Sequence, residues 1–232
     1  MTKIAILGAM REEIEPLLSR MDNIKETHYA NNTFYEASYK GKDVVVAYSK
    51  IGKVFSSLTA ALLIEKFGCK VLLFSGVAGA ISGDLKIGDL IIADGLCQHD
   101  LDITAFGHPY GYVPEVDVCI ATDVKLREIA KEIANEKGIN LKEGVIATGD
   151  QFVACSERKG WVGQTFKADA LEMEGSSVAV VCNALNIPFF ILRAISDSAD
   201  GSADVDFDTF LASSAKISAD FILEMVERIE QD

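Results

Sequence analysis

The feature that most constrains this chain is a repeated order along its length: a short apolar run, then small or polar residues, then a helical stretch. Residues 3–7 have the composition of a buried strand ended by Gly8. Residues 12–21 then put Ile14, Leu17, Leu18 and Met21 on one side of a helix. Residues 33–39 and 43–48 form a hairpin pattern around Gly41 and Lys42. A helix is predicted over 53–67, closed by Gly68, and strands are predicted over 71–74 and 89–93. Residues 98–118 form a long irregular stretch, a length of loop that more often carries function than decoration. Beyond it come a helix at 123–137, a strand at 143–148, a helix at 176–185, an apolar strand at 188–195 and a last helix at 207–229. Strands alternating with helices, without linker or repeat, predict a single α/β domain over 1–232 with a mostly parallel sheet covered by helices.

In such sheets, sites form just beyond the carboxyl ends of the strands. Four such ends carry small or polar residues: 8–13, 75–79, 149–153 and 193–197. Asp197 ends the run FFILRAIS, where a carboxylate is costly unless it has a partner or a task. It is either a cap for the next segment or a general acid whose pKa burial has raised. Glu13 follows the first strand in GAMREEI. It is either a first-turn acid of the helix, a role that also suits Glu12, or a catalytic group. Glu172 and Glu174 flank Met173 in LEMEGSS, and a carboxylate there can accept hydrogen bonds from neighbouring ribose hydroxyls. Arg193 interrupts an apolar strand and needs an anionic partner, with Glu13, Glu172 and Glu174 as the candidates. Residues 75–80, SGVAGA, lack the spacing and the lysine of a phosphate loop, though small residues allow a ligand close to the backbone. Met10, Ile51, Phe106, Phe152, Met173 and Phe207 are candidates to line an apolar pocket.

Composition excludes several classes. A net charge of −13 argues against nucleic-acid binding, which needs clustered Lys and Arg, and less strongly against polyanionic substrates. No run of apolar residues is long enough to span a membrane, and the start of the chain does not resemble a signal peptide. The five cysteines make no CxxC pair and most lie in apolar surroundings, which predicts buried free thiols in a reducing cytoplasm. His28, His99 and His108 have no ligand-like spacing, so no metal site is expected.

Taken in order, GAMREEI, SKIGKV, SGVAGA, HDLDITAFG, GDQFV, LEMEGSSVA, RAISDSAD and FDTFL resemble the 5'-methylthioadenosine/S-adenosylhomocysteine nucleosidases. The resemblance runs from residue 4 to the final helix. It is closest to a branch that also cleaves 6-amino-6-deoxyfutalosine in menaquinone biosynthesis. It implies a nucleoside phosphorylase-like fold, a three-layer α/β/α sandwich with a central mixed, mostly parallel sheet. It implies that Glu13 activates water, Asp197 protonates adenine N7, Glu174 clamps the ribose hydroxyls and Met173 packs on the sugar. Arg193 then lies near ribose and water, Phe152 stacks on adenine, and the backbone of Val153 reads the adenine edge. Ala78 and Gly79 pass close to base and sugar, with Glu172 and Ser196 beside them. Met10, Ile51 and Phe207 surround the 5' substituent. Phe106 and Pro114 are offered to a partner's pocket, implying a homodimer.

Two positions depart from the family pattern: Val77 stands where many members have serine, and His108 where others have tyrosine. The expected reaction is hydrolysis without metal or organic cofactor, releasing adenine and a 5'-substituted ribose. The alternatives are phosphorolysis on the same fold and a non-catalytic purine-binding relative. Water is favoured because a phosphate dianion would meet Glu12 and Glu13 with only Arg11 nearby.

Overall fold

The computed structural model describes residues 2–199 and 203–230. In chain order the elements are β1 (Ile4–Gly8), α1 (Arg11–Leu18), β2 (Asp22–Tyr29), β3 (Asn32–Tyr39), β4 (Lys42–Tyr48) and α2 (Lys53–Glu65). Then come β5 (Val71–Phe74), β6 (Val77–Ala80), β7 (Leu90–Gln98), a 3-10 turn (Thr104–Phe106), β8 (Cys119–Ala121) and α3 (Val124–Lys137). The last are β9 (Leu141–Thr148), α4 (Ser156–Phe166), β10 (Ala168–Glu172), α5 (Gly175–Ala184), β11 (Phe189–Asp197) and α6 (Ala203–Arg228).

The strands form one mixed sheet in the order β2-β3-β4-β1-β5-β11-β6-β10-β9-β7-β8. Its centre is parallel, β4-β1-β5-β11. Antiparallel pairings occur at both ends and at β6-β10. β11 also pairs antiparallel with β7, so β11, β6, β10, β9 and β7 close into a ring. That closure removes free edges where the site lies.

Apolar side chains leave the sheet on both faces, which is why its central strands are buried throughout. One cluster packs Ala60, Leu63 and Ile64 of α2 and Val178, Ala179 and Cys182 of α5 against the sheet. The opposite cluster takes Ile14 and Leu17 of α1, Leu126 and Ile133 of α3, and Ile222 and Val226 of α6. A third, smaller cluster lies under α4, around Val162 and Phe166.

Several elements differ from the sequence pattern. β2 is an almost wholly exposed, polar edge strand, so it carries no hydrophobic alternation. β6 and β10 consist mostly of small residues, and α4 contains two glycines and little apolar periodicity. α1 stops at Leu18, not at 21, and α6 starts at Ala203, earlier than the predicted 207. Cys69, Cys97 and Cys182 are buried thiols, but Cys119 and Cys155 are exposed. No helix is long and apolar enough to cross a membrane among the described residues.

Candidate active site

The parallel-paired strands β1, β5, β11 and β6 lie side by side, and residues within or just past several strands of the sheet meet in a cavity of about 430 Å³. It is lined by Ala9, Met10 and Glu13 after β1, Ile51 before α2, Val77, Ala78 and Gly79 of β6, and Phe152 after β9. Leu171 to Glu174 at the end of β10, Ser196 and Asp197 of β11, and Asp204, Phe207 and Asp208 of α6 complete the wall. Glu13 and Asp197 therefore face one shared space.

Glu13 serves two purposes. It is the third residue of α1 and reaches back to the N–H of Met10 (3.0 Å), half of a capping box. The same oxygen accepts the N–H of Ala9, and its other oxygen accepts the N–H of Val77 at 3.1 Å. The side chain is 2% exposed while Glu12 beside it is exposed, so the two acids of the first turn part company. Burial pushes the Glu13 pKa above its ordinary value, and the nearby Arg193 charge and the three backbone N–H groups only partly oppose this. Because Val77 acts through its backbone, its departure from serine leaves this bond intact.

Asp197 closes β11. Its Oδ2 takes the hydroxyl of Ser196 (2.9 Å), and its Oδ1 takes the N–H of Ala199 (2.8 Å). Small residues make room for both carboxylates. A Cβ at Gly76 would stand 2.8 Å from Glu13 Oε1, and one at Gly79 would stand 2.6 Å from Asp197 Oδ1. Gly76 just precedes β6 and Gly79 lies within it, three residues further on, so the two carboxylates pack against different points of one segment.

Glu172 and Glu174 are not equivalent. Glu172 Oε2 accepts Arg193 Nη2 at 2.7 Å and the N–H groups of Gly175 (2.7 Å) and Glu174 (3.2 Å), and its Oε1 accepts the hydroxyl of Thr148. Glu172 is thus the partner of Arg193, and its oxygens are occupied by protein donors. Arg193, 1% exposed, lies behind the cavity wall and not in it. It also donates to the carbonyls of Phe74 and Leu192 and lies over the Phe74 ring. Glu174 receives one N–H, that of Gly52, at 2.8 Å. Burial, followed by repulsion from Glu172, pushes its pKa up to about 8.

Phe152 stands edge-on to Phe207, ring centroids 5.7 Å apart. The side chain of Val153 points into the cluster with Cys97, Ala147 and Val162, away from the cavity. Phe106 and Pro114 lie outside the cavity, and Phe106 is 81% exposed. His108 is exposed and stacks on Tyr112, so this departure does not touch the cavity wall. Asp204, Asp208 and Leu171 escape sequence reasoning. Asp204 belongs to the first part of α6, ahead of the predicted start at 207, Asp208 lies inside the predicted helix but is not singled out by it, and Leu171 belongs to the unrecognised β10. Among the described residues no cluster of His, Cys, Asp and Glu is arranged to hold a metal ion.

A mixed α/β sheet whose strand ends gather paired carboxylates beside an aromatic wall defines a class, and the comparisons agree with it. The family described as "Phosphorylase superfamily" matches residues 3–227, and the chain belongs to it. Its relatives there are nucleosidases. The chain is 56% identical over 229 residues to the aminodeoxyfutalosine nucleosidase of Campylobacter jejuni, covering 99% of this chain and 100% of the relative. It is 38% identical to the 5'-methylthioadenosine/S-adenosylhomocysteine nucleosidase of Haemophilus influenzae, covering 98% and 100%. The solved structure of futalosine hydrolase of Helicobacter pylori superposes with a TM-score of 0.96 at 51% identity, over 98% of each chain.

Proposed function

We propose that this protein hydrolyses the N-glycosidic bond of 5'-substituted adenosines, releasing adenine and the 5'-substituted ribose. The substrates are 5'-methylthioadenosine, S-adenosylhomocysteine, 6-amino-6-deoxyfutalosine and 5'-deoxyadenosine, which would place it in methionine salvage and menaquinone biosynthesis. The observation that carries the reading is that Glu13 and Asp197 share one cavity whose described lining holds carboxylates and no Lys or Arg.

Breaking the bond leaves positive charge on the ribose and negative charge on the purine. Asp197 donates a proton to adenine N7, which makes adenine a better leaving group. Glu13, on the far side of the sugar, takes a proton from the attacking water. Its raised pKa suits a base, since proton affinity rises with it. This division of labour is that of an inverting glycoside hydrolase. Glu174 accepts from the ribose hydroxyls, and Met173 packs on the sugar. Phe152 supports the adenine ring, while the backbone of Val153 meets its edge. Ala78, Gly79 and Ser196 border base and sugar, and Met10, Ile51 and Phe207 surround the 5' group. An ionised Glu13 beside the ribose stabilises its oxocarbenium-like charge electrostatically. It also repels a phosphate dianion, which sets this reading above phosphorolysis.

The test is adenine release from 5'-methylthioadenosine in phosphate-free buffer, followed by ultraviolet absorbance. Turnover without phosphate is expected, and a strict phosphate requirement would overturn hydrolysis. A second copy of the chain is proposed to complete the pocket mouth with Phe106 and Pro114. Val54, Phe55 and Leu58 of α2 are exposed beside Ile51, an apolar surface that suits burial in a homodimer. The molecular mass in solution checks this, and a monomer would contradict it. The reading places the enzyme in the cytoplasm.

A further inference from the structure

The N–H group that reaches Glu174 comes from an unusual helix start. α2 begins at Lys53 after Gly52, and no side chain at the N-cap position caps it. Gly52 has φ of 100°, a conformation that favours glycine. Its N–H goes to Glu174 Oε1 at 2.8 Å. The cap is supplied from another part of the chain: Asp150 Oδ1, in the connection after β9, accepts the N–H of Lys53 at 2.8 Å. A Cβ on Gly52 would stand 3.0 Å from that same Oδ1, so the carboxylate packs directly over the glycine.

Asp100, two residues past the end of β7, ties the arrangement together. Its Oδ2 accepts the N–H of Asp150 (2.8 Å) and its Oδ1 accepts the ammonium of Lys53 (2.6 Å). Two residues after Asp150 stands Phe152, part of the cavity wall. Asp150 is outside that wall, yet it joins the segment bearing Phe152 to the glycine that holds Glu174.

We propose that Asp150 is a positioning residue: by capping α2 from across the fold it aims the Gly52 N–H at Glu174 and orients that carboxylate for the ribose without touching substrate. The inference rests on the reading of Glu174 as the ribose clamp. The alternative is a cap that only stabilises α2. The two differ in what the reaction feels, because a stabilising cap has no preference for sugar hydroxyls and no influence on the titration of Glu174. The Gly52 bond is the leading influence favouring the ionised form of Glu174.

The experiment compares wild type, Asp150→Ala and Asp150→Asn on 5'-methylthioadenosine and its 2'-deoxy counterpart across pH. Loss of a helix cap sets the scale, so Asp150→Ala is expected to lower kcat/KM about tenfold on the ribonucleoside and about threefold or less on the deoxy compound. The acidic limb of its pH profile moves to higher pH. Asp150→Asn, whose amide oxygen still accepts the Lys53 N–H, stays within about threefold of wild type. Equal losses on both substrates, or no loss, with an unmoved limb would overturn the proposal. If the alanine variant does not fold, Asp100→Ala removes the acceptor for Asp150 N–H and is expected to show the same split in smaller measure. Uniform loss, or none, there overturns it equally. A wild-type chain inactive on 5'-methylthioadenosine would overturn the functional reading itself, and this inference with it.

Discussion

The back of the cavity and its front treat carboxylates in opposite ways. At the back, Glu172 is saturated by Arg193, Thr148 and two backbone N–H groups. At the front, two residues further along the chain, Glu174 holds one N–H bond, and its pKa rises to about 8. Both are buried to a similar degree, so burial alone does not separate them. The number of donors does: a carboxylate whose oxygens are all engaged builds the wall, and one with an oxygen to spare is available to a ligand. Glu13 stands between these cases, held by three backbone N–H groups yet lining the cavity.

The contrast is tested by three substitutions. Glu13→Gln keeps the size and most of the contacts but removes the proposed base. Turnover is expected to fall by about 10²–10⁴-fold while calorimetry still detects ligand binding, and lost binding would mean that Glu13 builds the pocket. Glu172→Ala leaves a buried Arg193 without its anion, a change that typically costs about 3–5 kcal/mol. Thermal unfolding should therefore fall by roughly 10 °C, and an unchanged Tm would break the assignment of Glu172 as structural. Glu174→Gln should act in the opposite direction on stability. The folded protein holds the Glu174 proton between the ordinary value of 4.5 and about 8, where the unfolded chain releases it. Stability from this group is therefore lost as pH rises through that window. The glutamine variant is expected to gain a few degrees in Tm above pH 8 and almost nothing near pH 4.5, as read by calorimetry. A variant less stable than wild type at both pH values would contradict it.

Much of this was legible before the structure, and the boundary is physical. Long apolar strands such as β1, β5 and β11 announce themselves, and a charged residue within or just past such a strand stands out, as Glu13, Arg193 and Asp197 do. Position alone leaves Glu13 and Asp197 between a structural and a catalytic role, and only the family resemblance assigns the roles. β6 and β10 were not found, because strands of Ala, Gly and Asp in a closed ring need no apolar alternation. Arg193 was recognisable as needing an anion, but three glutamates fitted the sequence and only the register of β10 beside β9 selects Glu172. The roles of Gly52, Thr148 and Asp150 depend on backbone N–H groups and on contacts between distant segments, which residue types do not encode.

In the proposed reaction the two carboxylates divide the work, Asp197 serving the purine and Glu13 the water. Asp197→Asn tests it most directly, by single-turnover adenine release measured beside calorimetric binding of 5'-methylthioadenosine. A folded variant is expected that binds within about tenfold of wild type and turns over about 10³-fold more slowly. Turnover by the folded variant close to that of wild type would contradict it.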